Sequence, residues 1–268
     1  MTLARILAAP WVGLQDVLLV LLEKLGRITQ FVGVALRGVA TPPFFLRQVP
    51  VLTLELVGRC SIPVISVLIG LGVAISIQAG SVFRLFSAEP LLGGMTGLMV
   101  FRELGPVISA ILVAAQGGTS AATEIGAMRI KEEIDALELM AVDPMRMLIL
   151  PRVLAFMLAT PLLNFMASVA GMAGGYAAAM VQHTLSSGAY TTSFFHYMTT
   201  LDLVNGVYKT TVFGLIIGAL STYYGFHASG GAEGVGRSAN QAVVQSIIAV
   251  LGTNYFLTTA FFGALSVF

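Results

Sequence analysis

Five stretches of this 268-residue chain carry no Asp, Glu, Lys or Arg: 60–83, 104–123, 153–201, 210–232 and 238–268. Each reaches or exceeds the roughly 20 apolar residues that a helix needs to cross the hydrocarbon core of a bilayer. The run 153–201 is long enough for a crossing plus an outside loop. A soluble domain carries about 25% charged residues, whereas this chain carries 10%, with 57% hydrophobic residues and a mean hydropathy of +0.90. A soluble fold would have too little polar chain to cover five such runs. The sequence therefore predicts an all-α integral membrane protein with transmembrane helices over about 61–83, 91–117, 147–181, 201–225 and 240–266. The third is long for one crossing, so part of it is expected to protrude or tilt.

Ahead of these spans, residues 11–37 read as an amphipathic helix. Leu14, Val17, Leu18, Leu21, Leu22, Leu25, Ile28 and Val32 recur at helical steps, while Gln15, Asp16, Glu23, Lys24, Arg27 and Gln30 take the other face. That is the pattern of a helix lying in the membrane interface; a helix packed on a partner protein is the lesser alternative. Thr41-Pro42-Pro43 then breaks the chain. Two regions result: 1–48, the N-terminal interfacial helix, and 49–268, a five-span membrane domain. The first 20 residues lack a compact basic start, an apolar core and a small-residue cleavage site, so a removable signal peptide is not expected. Basic residues set the orientation. With the N-terminus in the cytoplasm, Arg5, Lys24, Arg27, Arg37, Arg47, Arg59, Arg129, Lys131, Arg146, Arg152 and Arg237 fall inside. Only Arg84 falls outside, and the C-terminus ends outside. One cysteine, Cys60, excludes a disulfide framework and a cysteine metal site. A net charge of +1 with no dense basic patch argues against nucleic acid.

The one strongly charged stretch joins spans two and three: EIGAMRIKEEIDALELMAVDPMR, 124–146. Ile125, Met128, Ile134, Leu137 and Met140 recur at helical spacing within it, so the sequence predicts a short amphipathic helix, over about 122–143, on the cytoplasmic face. Asp143-Pro144 is expected to end that helix, because proline disfavours helical geometry in the preceding residue. Such an element suits docking into a groove on a soluble partner, and its periodicity also fits an ordinary solvated loop helix. Charge occurs inside the membrane too: Arg102 and Glu103 in span two, and Lys209 in span four with Asp202 at its outer end. Ionisable groups at that depth cost several kcal/mol and usually mark function; an internal salt bridge fixing helix packing is the other reading. Neighbours on a helix point about 100° apart, so Arg102 and Glu103 are not expected to face one cavity together. Leu104-Gly105-Pro106 is expected to kink the span. Gly93/Gly97, Gly171/Gly175 and Gly214/Gly218 have the four-residue spacing that lets membrane helices approach closely, although some such pairs arise by chance among 29 glycines.

Several of these segments resemble one family. FRELGP (101–106), TEIGAMR (123–129), EEIDALELMAVDP (132–144), LPR (150–152) and LDLVN…K (201–209) are similar to the permease subunit of Mla/Mce-type ABC lipid transporters, the MlaE or YrbE-like family. The resemblance runs from about residue 50 to 266 and is most specific over 101–152. It implies a homodimer in the bacterial inner membrane, with an N-terminal elbow helix before the five spans. It makes the segment after span two a coupling helix on a cytoplasmic ABC ATPase present in two copies, with Glu124, Arg129, Glu132, Glu133, Asp135, Glu138 and Asp143 as contact residues. It places a lipid pocket at the dimer interface, lined by spans one, two and five and open to the periplasm. Carried over by position, Ile75, Gln78, Val82 and Phe86 would line that pocket, with Arg102, Glu103, Lys209 and Asn254 as its polar residues. Further implied partners are a periplasmic MCE-domain protein, expected as a hexameric ring, and a small STAS-domain protein. The cargo would be a phospholipid-like lipid, a fatty acid or a sterol. No cofactor is expected on this chain, since ATP and magnesium would be used by the ATPase.

Two positions depart from the family pattern. AAQGGTS (114–120) has Gln116 where many members have Arg, and Asn254 stands where some carry Asp. Other classes fit less well. A secondary transporter of an amphipathic solute also uses intramembrane charge, but no inverted repeat is visible and five spans divide badly into halves. An intramembrane enzyme has little support. Gly118-Thr119-Ser120-Ala121 has only a faint likeness to a membrane serine protease loop, and His183, His196 and His227 lie near span ends. Neither HExxH nor GxxxxGK[ST] occurs, so neither zinc hydrolysis nor ATP hydrolysis by this chain is expected.

Overall fold

The computed structural model describes residues 26–35, 45–183 and 185–263, together with Leu19 and Glu23. The amphipathic helix expected over 11–37 falls largely outside them; the described part, α1 (26–35), is helical. No strand occurs among the described residues. Five helices are long and apolar enough to cross a membrane, the number the charge-free runs predicted: α2 (Val49–Leu85), α3 (Glu89–Ile130), α5 (Met145–Gln182), α7 (Thr200–Phe226) and α8 (Gly231–Phe261). Two short helices join them, α4 (Glu133–Leu139) between α3 and α5 and α6 (Ser187–Tyr197) between α5 and α7.

Several helices outrun the charge-free segments. α2 starts at Val49, with Pro50 in its first turn, and continues through Arg59 and Pro63. Charge limits the depth of hydrocarbon a helix can cross, while the backbone ladder ends only where hydrogen bonding ends. Arg59 stays helical because Glu55 pairs with it one turn earlier. The α3–α4 boundary comes at Glu132, whose φ of 60° is left-handed, so the segment 122–143 is two helices. Asp143-Pro144 does not end the loop helix; this expectation is corrected. α4 stops at Leu139, and Asp143 instead opens α5, its carboxylate accepting from the Met145 N–H at 2.9 Å and pairing with Arg146 at 3.1 Å. Pro144 lies ahead of the first helical turn, where no N–H is missed. The turn from α7 to α8 needs Gly230 and Gly231, with φ of +90° and +71°.

Cys60, Val64 and Leu68 of α2, Ala110 and Val113 of α3, Phe156 and Leu163 of α5, Phe213 and Ile217 of α7 and Val250 of α8 form one buried core. In lipid, close backbone approach and polar contacts hold such helices together, because the tails are as apolar as the core. The most extensive pairing is α2 with α5, and there a Cβ on Gly72 would lie 1.9 Å from the Gly171 carbonyl oxygen. The three glycine pairs noted in the sequence also lie at crossings: Gly93 faces the Tyr190 backbone, Gly171 faces Val100 and Leu68, and Gly214 faces Phe156. α2 and α8 each pack on α3, while among the described residues they scarcely touch one another.

Candidate functional site

The charged residues of α3 sit where its backbone is irregular. Val100–Leu104 forms a π turn, with the Gly105 N–H reaching back to the Val100 carbonyl, and Pro106 follows directly. Proline has no N–H, so the Arg102 carbonyl loses the partner an α-helix would give it. Lys209 of α7 supplies that partner, its ammonium donating to Arg102 O at 3.0 Å. The same buried Nζ donates to Glu103 Oε1 at 3.2 Å and to Thr258 Oγ1 at 2.8 Å. Thr258 in turn donates to Glu103 Oε1 at 2.9 Å, and Asn254 Nδ2 donates to Glu103 Oε2 at 3.0 Å. Arg102 turns the other way, pairing through Nε with Asp202 Oδ1 at 2.7 Å. Asp202 Oδ2 accepts from the Thr199 N–H at 2.9 Å and from its hydroxyl at 2.8 Å, capping the start of α7.

Arg102, Glu103, Lys209 and Asn254 are thus brought together, joining α3, α7 and α8. Arg102 and Glu103 do point to different partners. Two acids and two bases make the cluster neutral overall, and its most accessible members are Glu103, with 39% of its side chain exposed, and Arg102, with 33%. Asn254 suits this place because its amide can donate to Glu103, where an Asp would set a second carboxylate against the first. Gln116 lies in a second π turn, Ala114–Gly118, with its side chain exposed. The α2 residues lie apart from the cluster. Ile75 is half-buried, and Gln78, Val82 and Phe86 are exposed along the outer half of α2, with Phe86 just past its end. Thr199 and Thr258 were not singled out by sequence reasoning. Asp202 was noticed but not matched to Arg102, since a partner 100 positions away leaves no local signal.

A second polar network lies at the end that carries α4. Arg59 of α2 bonds to Glu55 and Ser120 and reaches Glu124 at 3.4 Å, Ser120 donates to Glu124 at 2.8 Å, and Arg152 of α5 approaches Glu124 at 3.5 Å. Glu124 therefore ties three spans together while remaining partly exposed itself. α4 is held by Ile134, buried against Ile125, Ile149 and Val153. Asp135 of α4 pairs with Arg129 at 2.6 Å, and the Arg129 guanidinium sits 5.6 Å from the Phe226 ring centre. Glu133 lies 3.8 Å from Lys131, and Glu132 and Glu138 are exposed. Beyond them Leu139 is 90% exposed and Met140 64%, two large apolar side chains at the tip of a charged loop.

A five-span helical bundle with a neutral charged cluster inside it and an amphipathic loop helix at one end has the build of a membrane permease. The profile of the family described as Permease MlaE matches residues 51–260, and the chain belongs to that family of ABC transporter permeases. It is 36% identical over 241 residues to a Rickettsia felis protein named probable ABC transporter permease protein, covering 90% of this chain and 93% of that one. It is 32% identical over 195 residues to the Haemophilus influenzae intermembrane phospholipid transport system permease protein MlaE, covering 72% and 75%. It is also 35% identical over 191 residues to the Arabidopsis thaliana chloroplastic protein trigalactosyldiacylglycerol 1, covering 71% and 55%.

Proposed function

We propose that this chain is the membrane-spanning subunit of a transporter that moves a phospholipid-class lipid between the bacterial inner membrane and a periplasmic MCE-domain partner. The observation that carries the reading is that α2 and α8 both rest on α3 yet barely meet, and that each carries uncovered apolar side chains: Val82 and Phe86 at the end of α2, and Val244, Ile248, Leu251 and Tyr255 on α8. Two copies placed with these faces together enclose an acyl-chain cavity. Glu103 and Arg102 lie at its polar wall, where Lys209 and Asp202 hold them in place. Since the cluster is neutral, binding comes mainly from apolar contact, and headgroup charge contributes little.

The work comes from a separate cytoplasmic ATPase, one per copy, docked on α4. The positive residues at the α4 end support a cytoplasmic position for that end, which would leave the C-terminus in the periplasm. Leu139 and Met140 fill a groove on the ATPase, with Glu132, Glu133 and Glu138 at the rim. Through Asp135–Arg129 and the Arg59–Glu124–Arg152 network, a push on α4 reaches α2, α3 and α5 together. Leu139→Asp is the direct test, with co-purification of the ATPase as the readout. Loss of at least tenfold is expected while the permease still dimerises, because an exposed side chain contributes nothing to its own fold. Undiminished recovery of the ATPase would remove α4 as the docking element.

A further inference from the structure

α4 is only seven residues long (Glu133–Leu139), well short of the roughly 12–15 residues at which an isolated helix begins to hold in water. What fixes it is therefore the surface beneath it. Ile134 is fully buried there and Leu137 half-buried, in one apolar cluster with Ile125 of α3 and Leu148, Ile149 and Val153 of α5. The same cluster takes in Ala35 of α1, which has no exposed surface, and Phe31 packs against it one turn earlier. α1 thus forms part of the seat on which α4 rests. Its residues Ile28, Phe31 and Ala35 recur at three- and four-residue steps and share the inward face, while Arg27 and Gln30 are exposed.

A second set of contacts joins the same two helices. The Phe31 ring centre lies 5.6 Å from that of Phe226, the last residue of α7, and 5.4 Å from that of Tyr223, edge to face. Phe226 in turn lies 5.6 Å from the Arg129 guanidinium, and Arg129 pairs with Asp135 of α4 at 2.6 Å. Ring contacts of both kinds depend on geometry as well as on buried area, so Phe31 sets where Phe226, and with it Arg129, can stand. The ladder of α3 ends at Ile130 and Glu132 turns the chain with a φ of 60°. α4 is therefore no continuation of α3, and its angle comes from side-chain contacts. We propose that Phe31 is a positioning residue for the docking helix: α1, through Phe226 and Arg129, holds α4 at the angle the ATPase accepts. The proposal rests on α4 being the docking element, and it gives α1 a part in coupling that its own surface does not perform.

The test is the rate at which the ATPase leaves the assembled transporter in nanodiscs. Phe31→Leu keeps an apolar side chain in the cluster and removes the ring. It is expected to speed release about fivefold, the effect of losing one aromatic contact, with the thermal midpoint of the complex unchanged. Phe31→Tyr restores the ring and should release the ATPase at the original rate. Phe226→Leu breaks the same path one step nearer α4, and the Phe31→Leu/Phe226→Leu double variant should release no faster than Phe226→Leu alone. A side chain that merely filled the seat would lower the midpoint and leave the release rate as it was. Release unchanged by Phe31→Leu, Phe31→Tyr releasing as fast as Phe31→Leu, or a double variant showing the product of the two single effects overturns the proposal. Leu139→Asp separates this role from the docking reading. If it speeds release and Phe31→Leu does not, only the positioning role falls; if Leu139→Asp has no effect, the docking reading falls and takes this proposal with it.

Discussion

Lys209 shows what a buried charge does here. Its ammonium repairs a carbonyl that Pro106 leaves unpaired and neutralises Glu103, so it serves backbone and side chain at once. Removing one partner of a buried pair leaves the other uncompensated and costs about 3 kcal/mol, while removing both is often close to neutral. Lys209→Met is therefore expected to lower the thermal midpoint of the purified protein in detergent, and adding Glu103→Gln should recover most of the loss. A double variant as unstable as the single would mean that the carbonyl contact, and not the ion pair, is what matters. Arg102, Glu103, Lys209 and Asn254 were visible in the sequence because charge and amide stand out against apolar runs. Their pairing was not visible. It depends on where α7 and α8 bring Asp202, Lys209, Asn254 and Thr258 against α3, partners 100 or more positions away that no local pattern announces.

For whole helices, hydropathy gave the number of crossings and missed where they end. Glu55 and Arg59 lay outside the first predicted span, yet both are helical and pair with one another one turn apart. Asp143-Pro144 looked like a stop and is a start, since the same two residues that break a helix from behind cap one ahead. The closest crossing was also hidden. Glycines spaced four apart drew attention to α3, α5 and α7, Gly171 among them, whereas Gly72 of α2 belongs to no such pair and still meets the Gly171 carbonyl more closely than any other glycine of the spans meets a neighbouring helix. Gly72→Ala would push α2 away from α5, at an overpacking cost of about 2 kcal/mol. A lowered thermal midpoint together with slower transport is expected, while Gly70→Ala, two residues away and with open space around it, should change neither. Equal effects of the two substitutions would show that this crossing tolerates separation.

Among the described residues, two of the uncovered apolar faces differ in kind. The outward side of α5, with Leu158, Leu162, Phe165 and Val169 exposed, is a continuous stripe of the sort that lipid covers. α2 and α8 both pack on α3 and scarcely meet, and in the proposed reading a second copy closes the space between them around a lipid. The proposed pairing of two copies through α8 can be measured directly. Leu251→Cys is expected to form a disulfide-linked dimer under mild oxidation in membranes, since a twofold axis near the Val244–Tyr255 stripe brings each residue close to its own copy. Leu162→Cys is expected to stay monomeric on the same gel. Cys60 is buried and should form no link in either variant. If Leu162→Cys crosslinks and Leu251→Cys does not, the copies meet through α5, the gap between α2 and α8 opens to lipid on its own, and the cavity proposed here has no second wall.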